Sequence, residues 1–299
     1  MSAVQTDHSR GLLIAGIGGM ALTFDIPLIR LAGGDPWPIL MFRSGLTFAA
    51  TLTVVLILKA IGRKLPPLIP GREGAIVSTL YALGSISFML AVFNTTTANL
   101  VFILAFNPMF AALLSWVFFG QRPRPATLLA MAAMLAGVLI IVGDGISAGH
   151  FLGDMLAVAT ALLLASAITI SRASGKDMGF TALVSALGPC LLAAAMTWRT
   201  GYRVEAPWWI IFNGILVIPL SFFCLANAPR YISGPEVAMF YLLETILAPV
   251  WVWMIFADVP TSATLAGGAI LIVTLVAHSL WQLNEGRKRR AALAVRHPI

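Results

Sequence analysis

Three ionisable residues interrupt runs that are otherwise apolar: Asp25, Arg43 and Glu244. Asp25 and Arg43 lie on successive apolar segments joined by a short turn, a spacing that lets a carboxylate and a guanidinium pair. Such a pair could simply pin two neighbouring segments together. The planar fork of Arg43 is also suited to gating or to gripping a substrate carboxylate through two parallel hydrogen bonds. Glu244 lies deep in its segment with no basic residue at obviously matching depth, where a carboxylate could exchange a proton, meet a cationic substrate group or hydrogen-bond a neighbouring helix. None of this is bond-making chemistry. The chain has no HExxH, no GxSxG, no carboxylate pair at a fixed short spacing and no glycine-rich phosphate loop after a strand. An enzyme is therefore not expected. Neither is a metal or cofactor, because Cys190 and Cys224 fall inside apolar runs with no CxxC spacing and read as small core residues.

The composition says what surrounds these groups. Of 299 residues, 59% are hydrophobic and 10% are charged, with a mean hydropathy of +0.93. Soluble domains carry about 25% charged residues, so this chain lacks the polar surface to dissolve in water. A bilayer core about 30 Å thick takes roughly 20 apolar residues per helix, and the chain has room for about ten such helices. The alternating segments of a transmembrane barrel are missing. The sequence predicts an all-α polytopic membrane protein with spans at 11–32, 36–58, 73–93, 98–119, 126–142, 153–171, 179–198, 207–228, 235–256 and 262–283. The head before residue 11 could pass for a signal peptide, but cleavage would leave an odd number of spans and break the repeat described next. Linkers are short, the longest being Lys59–Arg72, and leave no room for a soluble domain.

The net charge of +7 would hint at nucleic acid in a soluble protein; here it reads as a topology signal, with no nucleic-acid partner. Arg10, Lys59, Arg63, Lys64, Arg72, Arg230 and the tail Arg287–Arg290 fall on the side of the termini. Only Arg30, Arg199 and Arg203 fall on the other. Positive charge stays inside, so both termini are expected in the cytoplasm and the protein in the inner membrane. The tail could also meet anionic lipid head groups. Trp37, Trp208 and Trp209 read as interfacial anchors.

The chain also looks duplicated. Sliding the stretch 98–145 forward by about 137 positions sets Asn107 against Glu244, Trp116 against Trp253, Phe119 against Phe256, Pro123 against Pro260 and Thr127 against Thr264. Matching Asp35 with Asp177 sets Arg30 opposite Arg172. Residues 1–146 and 147–299 then form two five-helix units that enter the membrane from opposite sides. Inverted repeats of this kind place a substrate site near the midplane and alternate its access by rocking.

Residue depth and helical spacing pick out the candidate site. Asp25 and Arg43 each lie about seven residues from one end of their spans, roughly 10 Å deep at 1.5 Å per residue, and Glu244 about twelve. Asn99, Ile103 and Asn107 form an i, i+4 stripe, matched by Glu236, Phe240 and Glu244; Asn99 and Glu236 could instead cap their helices. Pro108 frees a carbonyl beside Asn107. Tyr81, Gly84, Ser85 and Phe88 share a mixed face of the third span, and Asn227 is polar enough to want a cavity or a helix partner. Tyr81, Phe88 and Phe102 are expected to supply an apolar wall. Asn107, Asn227 and Glu244 are expected to orient a small zwitterion. Ala133 with Gly137, and Gly267-Gly268, read as helix-contact devices, and His278 as a local hydrogen bond.

The Asn107-Pro108 pair followed by Phe119-Gly120-Gln121, and the run Glu244…Pro249…Trp253, together resemble the drug/metabolite transporter superfamily, closest to its EamA-type exporters. The links Thr95-Thr96-Thr97 and Ile232-Ser233-Gly234 into those helices add to the likeness, which covers essentially the whole chain. Within that branch the overall pattern is similar to exporters of aromatic amino acids. The resemblance implies a central cavity lined by spans one, three, four, six, eight and nine, with the fifth and tenth at the edge. The chain departs from the family by holding Gln121 and Asp258 where a glutamate often ends the fourth and ninth spans. The expected function is secondary export of small amphipathic metabolites, aromatic and other large neutral amino acids first, with multidrug or organic-cation export through Glu244 as the alternative. The expected partners are a small-molecule substrate and membrane lipid, and a monomer suffices.

Overall fold

The computed structural model describes the backbone of residues 2–63, 65–228, 231–232 and 234–296, and the side chains of 8–63, 65–228, 231–232, 236–237, 239–285 and 288. Lys64, Arg230, Ser233 and the side chains of Arg287, Arg289 and Arg290, used above for topology and resemblance, lie outside the described residues. Among the described residues there are 10 helices long and apolar enough to cross a membrane. They run His8–Ala32, Pro36–Ala60, Gly71–Asn94, Thr97–Phe119, Pro125–Ala148, Phe151–Ser174, Thr181–Thr200, Pro207–Asn227, Met239–Phe256 and Ser262–Glu285. The protein is an all-α polytopic membrane protein, as its composition requires.

Proline and glycine punctuate the helices. Proline occupies the first turn of the helices that begin at Pro36, Pro125 and Pro207, where its missing N–H costs nothing. Thr96 caps the fourth span by accepting the N–H of Asn99 at 3.2 Å. Left-handed Gly120, Gly149 and Gly175 close the fourth, fifth and sixth spans.

Four spans are not continuous α-helix. Span one breaks between Ser2–Leu22 and Asp25–Ala32, span four between Thr97–Leu104 and Asn107–Phe119, and span seven between Thr181–Val184 and Leu187–Thr200. Span eight widens into a π-turn at Asn213–Val217. Each irregularity lies about four residues before a proline (Pro27, Pro108, Pro189 and Pro219), where the ring removes one ladder hydrogen bond and crowds the carbonyl one turn earlier. Only the break at Pro108 was expected from the Asn-Pro pair.

The spans pair as one with eight and nine, three with six, four with six and nine, two with seven, and five with ten. Small residues allow the closest approaches. A Cβ on Gly137 would meet the Gly267 carbonyl oxygen at 2.9 Å, so spans five and ten touch through backbone; the small residues read as helix contacts in the sequence, and the structure supplies the partner. A Cβ on Gly19 would meet the Phe240 carbonyl oxygen at 2.6 Å, which brings span one onto span nine. Large apolar side chains such as Leu129, Leu139 and Val273 stay exposed on the outer surface, where lipid is the solvent. An even number of spans returns the chain to the side where it began. That side is called the terminal face below, and the opposite side the far face.

Candidate functional site

The break in span one makes the site. Asp25 is the first residue of the second helical segment, and its carboxylate meets Arg43 of span two in a two-pronged ion pair. Arg43 Nε donates to Oδ1 at 3.1 Å and Nη2 to Oδ2 at 2.7 Å. From span eight, Asn213 donates to Asp25 Oδ1 at 2.8 Å and to the Asp25 carbonyl at 3.1 Å. The guanidinium also sits 5.5 Å from the centroid of the Phe88 ring, within range of a cation–π contact. Three spans thus converge on one buried carboxylate. The break itself is gripped from span nine: Trp251 Nε1 donates to Thr23 Oγ1 at 3.1 Å, and its ring stacks on Phe24 at 5.4 Å.

Glu244 faces this pair. It lies within electrostatic reach of both Asp25 and Arg43, yet Arg43 is committed to Asp25. Tyr241, one turn before Glu244 and on the same face, lies within such reach of Glu244 and of Tyr81 in span three. Tyr241 is 41% exposed although it lies deep among the helices, and Glu244 is half-buried. Tyr81 and Ser85, both half-buried, share a helix face with Phe88, so the predicted face of span three turns toward the charged centre. With two carboxyl groups against one guanidinium that is bound to Asp25, Glu244 is the carboxyl group of this centre without a cation of its own.

Other predicted residues do not join this group. Asn99 is buried and fully used: its amide nitrogen donates to Asp154 at 3.2 and 3.4 Å, and its oxygen accepts from Thr264 Oγ1 at 2.7 Å. Phe102 is buried against Gly268 of span ten, a helix contact where a cavity wall was expected. Asn227 spends its amide on the Phe223 carbonyl of its own helix at 2.7 Å. Phe240 packs on Gly16 and Gly19 of span one. Asn107, half-buried, opens the second segment of span four. Glu236 pairs with His8 at 3.0 Å, so it links spans nine and one. His278 bonds Thr127 at 3.0 Å, the local role expected of it.

Sequence reasoning missed Asn213, Tyr241 and a polar network at the far face. Asp154, 0% exposed, accepts Thr95 Oγ1 at 2.6 Å and the Asn99 amide, tying the third, fourth and sixth spans. Thr261 Oγ1 donates to Asp144 at 2.5 Å. Arg30 reaches Asp258 at 3.0 Å and the Thr95 carbonyl at 3.0 Å, linking the end of span one to the turn after span nine. Ala257 adopts a left-handed φ of 54°, uncommon without glycine, at the turn that carries Asp258. Gly34 (φ 103°) bridges to Val204, fastening the first loop to the seventh. The signal for these contacts was faint, since Asp154 and Asp258 lie near span ends, where a carboxylate does not stand out. At the far face, Thr96, Pro249 and Asp258 line a cleft of about 10 Å³, room for one water. At the terminal face, Ser9, Arg10, Leu13, Ile14 and Tyr231 line a recess of about 280 Å³.

Comparison with known proteins fits this architecture. Residues 9–143 match the EamA-like transporter family. The pseudopaline exporter CntI of Pseudomonas aeruginosa is 22% identical over 279 residues, covering 90% of this chain and 95% of the relative. Human solute carrier family 35 member G1 is 25% identical over 215 residues, 64% of this chain and 58% of the relative. A crystal structure at 16% identity shares the fold with a TM-score of 0.64 over 92% of this chain and 98% of its own. The aromatic amino-acid pattern finds no counterpart among these proteins. Among the described residues ten apolar helices enclose a charged centre, residues 9–143 match the EamA-like transporter family, and the chain is a membrane transporter.

Proposed function

We propose that the protein is a secondary exporter of small amphipathic metabolites that carry an amino group, with aromatic and other large neutral amino acids as the leading class. The observation that carries this reading is Glu244, a carboxylate at a cavity wall whose potential partner Arg43 is already bound to Asp25. Glu244 receives the substrate ammonium, while Tyr81, Tyr241 and Phe88 offer the aromatic surface that a large side chain needs. Access alternates between two inverted halves, 1–146 and 147–299, with the termini in the cytoplasm of a cell whose inner membrane holds the protein. The helix pairing supports this. Under the repeat, one-with-eight corresponds to six-with-three and one-with-nine to six-with-four, and both members of each pair are in contact. The narrow far-face cleft and the wider terminal-face recess support a state closed outward.

Glu244 as counter-charge also suits an organic cation, which keeps multidrug export as the second reading. Liposomes containing the purified protein separate the two. The panel is labelled phenylalanine, tryptophan, threonine, methionine, pseudopaline and tetraphenylphosphonium, with and without a pH gradient, for wild type and Glu244→Gln. Saturable flux of the aromatic amino acids, weakened in Glu244→Gln, is expected. Flux of the cation alone would replace the leading reading by the second, and absence of any flux would end both.

A further inference from the structure

We infer that Asn213 is a positioning residue for substrate recognition: from the π-turn of span eight it fastens Asp25 to Arg43, and so keeps Arg43 off Glu244 and the Glu244 carboxyl group open to a substrate ammonium. The inference rests on the reading of Glu244 as the contact for a substrate ammonium.

Asn213 is 0% exposed and gives both of its amide contacts to one residue, the carboxylate and the carbonyl of Asp25. Its orientation has no alternative, because turning the amide over would set its oxygen against two other oxygens. Its own Oδ1 has no partner, a cost that a residue kept for packing alone would not incur. The N–H groups are what this site uses.

The π-turn explains how span eight reaches both members of the pair. Its wider coil lays the Gly214 backbone on span two, where a Cβ would meet the Arg43 carbonyl oxygen and the Leu46 Cβ, each at 2.9 Å. Thr47 Oγ1 fixes the contact by donating to the Gly214 carbonyl at 3.2 Å. Span eight therefore holds Arg43 by its backbone and Asp25 by its side chain.

This matters because Arg43 has two carboxylates to choose from. Asp25 and Glu244 both act on it electrostatically, and the groups around Glu244 are Asp25 from span one, Arg43 from span two, Tyr81 from span three and Tyr241 from its own helix. A guanidinium between two carboxylates favours the one already held in place, since less is lost in ordering it. Asn213 holds Asp25 in place at the Oδ1 that Arg43 Nε also uses. Without it, Asp25 turns freely at the break of span one, and Arg43 shares itself with Glu244. Glu244 then has a cation of its own and is no longer open to a substrate ammonium.

The test is a double-mutant cycle on phenylalanine uptake into liposomes, with Asn213→Ala and Asn213→Thr measured alone and with Glu244→Gln. Asn213→Ala is expected to raise KM about tenfold, the value of one hydrogen bond to a charged group, with Vmax changed by no more than about twofold. In Glu244→Gln the carboxyl group that Arg43 could take is already gone, so adding Asn213→Ala is expected to leave KM unmoved. Equal effects in the two backgrounds would overturn the inference. So would failure of both Asn213 variants to fold as monodisperse protein, which would make the residue purely structural. If wild type shows no saturable phenylalanine flux, or Glu244→Gln alone leaves KM unchanged, the reading of Glu244 has failed. The Asn213 inference then falls with it, by a result distinct from the cycle.

Discussion

Replacing Arg43 by methionine removes a charge while keeping most of the side chain's length, and the cost can be worked from the geometry. Two charge-assisted hydrogen bonds, at 3.1 and 2.7 Å, disappear. What remains is a carboxylate with 4% of its side chain exposed and only Asn213 to hold it. A pair exposed to water would yield at most about 1 kcal/mol. Stranding one partner of a buried pair costs about 3–5 kcal/mol. The surviving Asn213 contact places Arg43→Met at the lower end, about 3 kcal/mol, or roughly 6–12 °C of melting temperature at about 2–4 °C per kcal/mol. Removing both charges, as Asp25→Asn with Arg43→Met, strands nothing, and stability within about 1 kcal/mol of wild type is expected. The assay is thermal unfolding of the purified protein in detergent, read by tryptophan fluorescence for wild type, both single variants and the double. A double variant no more stable than Arg43→Met, or Arg43→Met melting with wild type, would refute the reasoning, because either result means the two charges do not depend on each other.

Three further outcomes follow from the packing. Gly267→Leu forces spans five and ten apart where backbone meets backbone, and a loss of about 1–3 kcal/mol is expected in the same melt. Asp154→Leu leaves the Thr95 hydroxyl and the Asn99 amide without their acceptor, so it is expected to destabilise by about 2 kcal/mol or more, while Asp154→Asn recovers part of the loss. Arg30→Gln breaks a half-exposed contact and costs about 1 kcal/mol or less. A cysteine placed at Ala98, beside the far-face cleft, is expected to react faster with a membrane-impermeant maleimide in that variant; an unchanged rate would show that Arg30 does not hold the far face.

How much of this was legible in the sequence varies from residue to residue. Asp25 and Arg43 were readable as a pair because a short turn joins their spans and depth follows directly from position along a helix. Glu244 was readable because one carboxylate in an apolar run is conspicuous. Tyr81, Ser85 and Phe88 shared a face by helical spacing alone, and the structure turns that face to the charged centre. The same spacing argument failed for Asn99 and Phe102. Periodicity says which residues share a face but not which neighbour that face meets, and span ten covers both. Span one's break carried a local signal in Pro27 that a single proline near a helix end does not make loud.

The sequence by itself determined the solvent, the number and approximate bounds of the spans, the small residues available for helix contacts, and the presence of a carboxyl group deep in span nine. Each follows from composition or from spacing along one helix, where the chain's own geometry is enough. Only the tertiary structure decided that Asn213 reaches Asp25 across 188 positions of chain, that Asp154 binds spans three, four and six, and that Arg30 meets Asp258. Those contacts depend on which helices become neighbours and how each is rotated. In lipid, where every helix is apolar nearly all round, hydrophobic pattern cannot set that rotation; it is left to a few polar groups that must find one another.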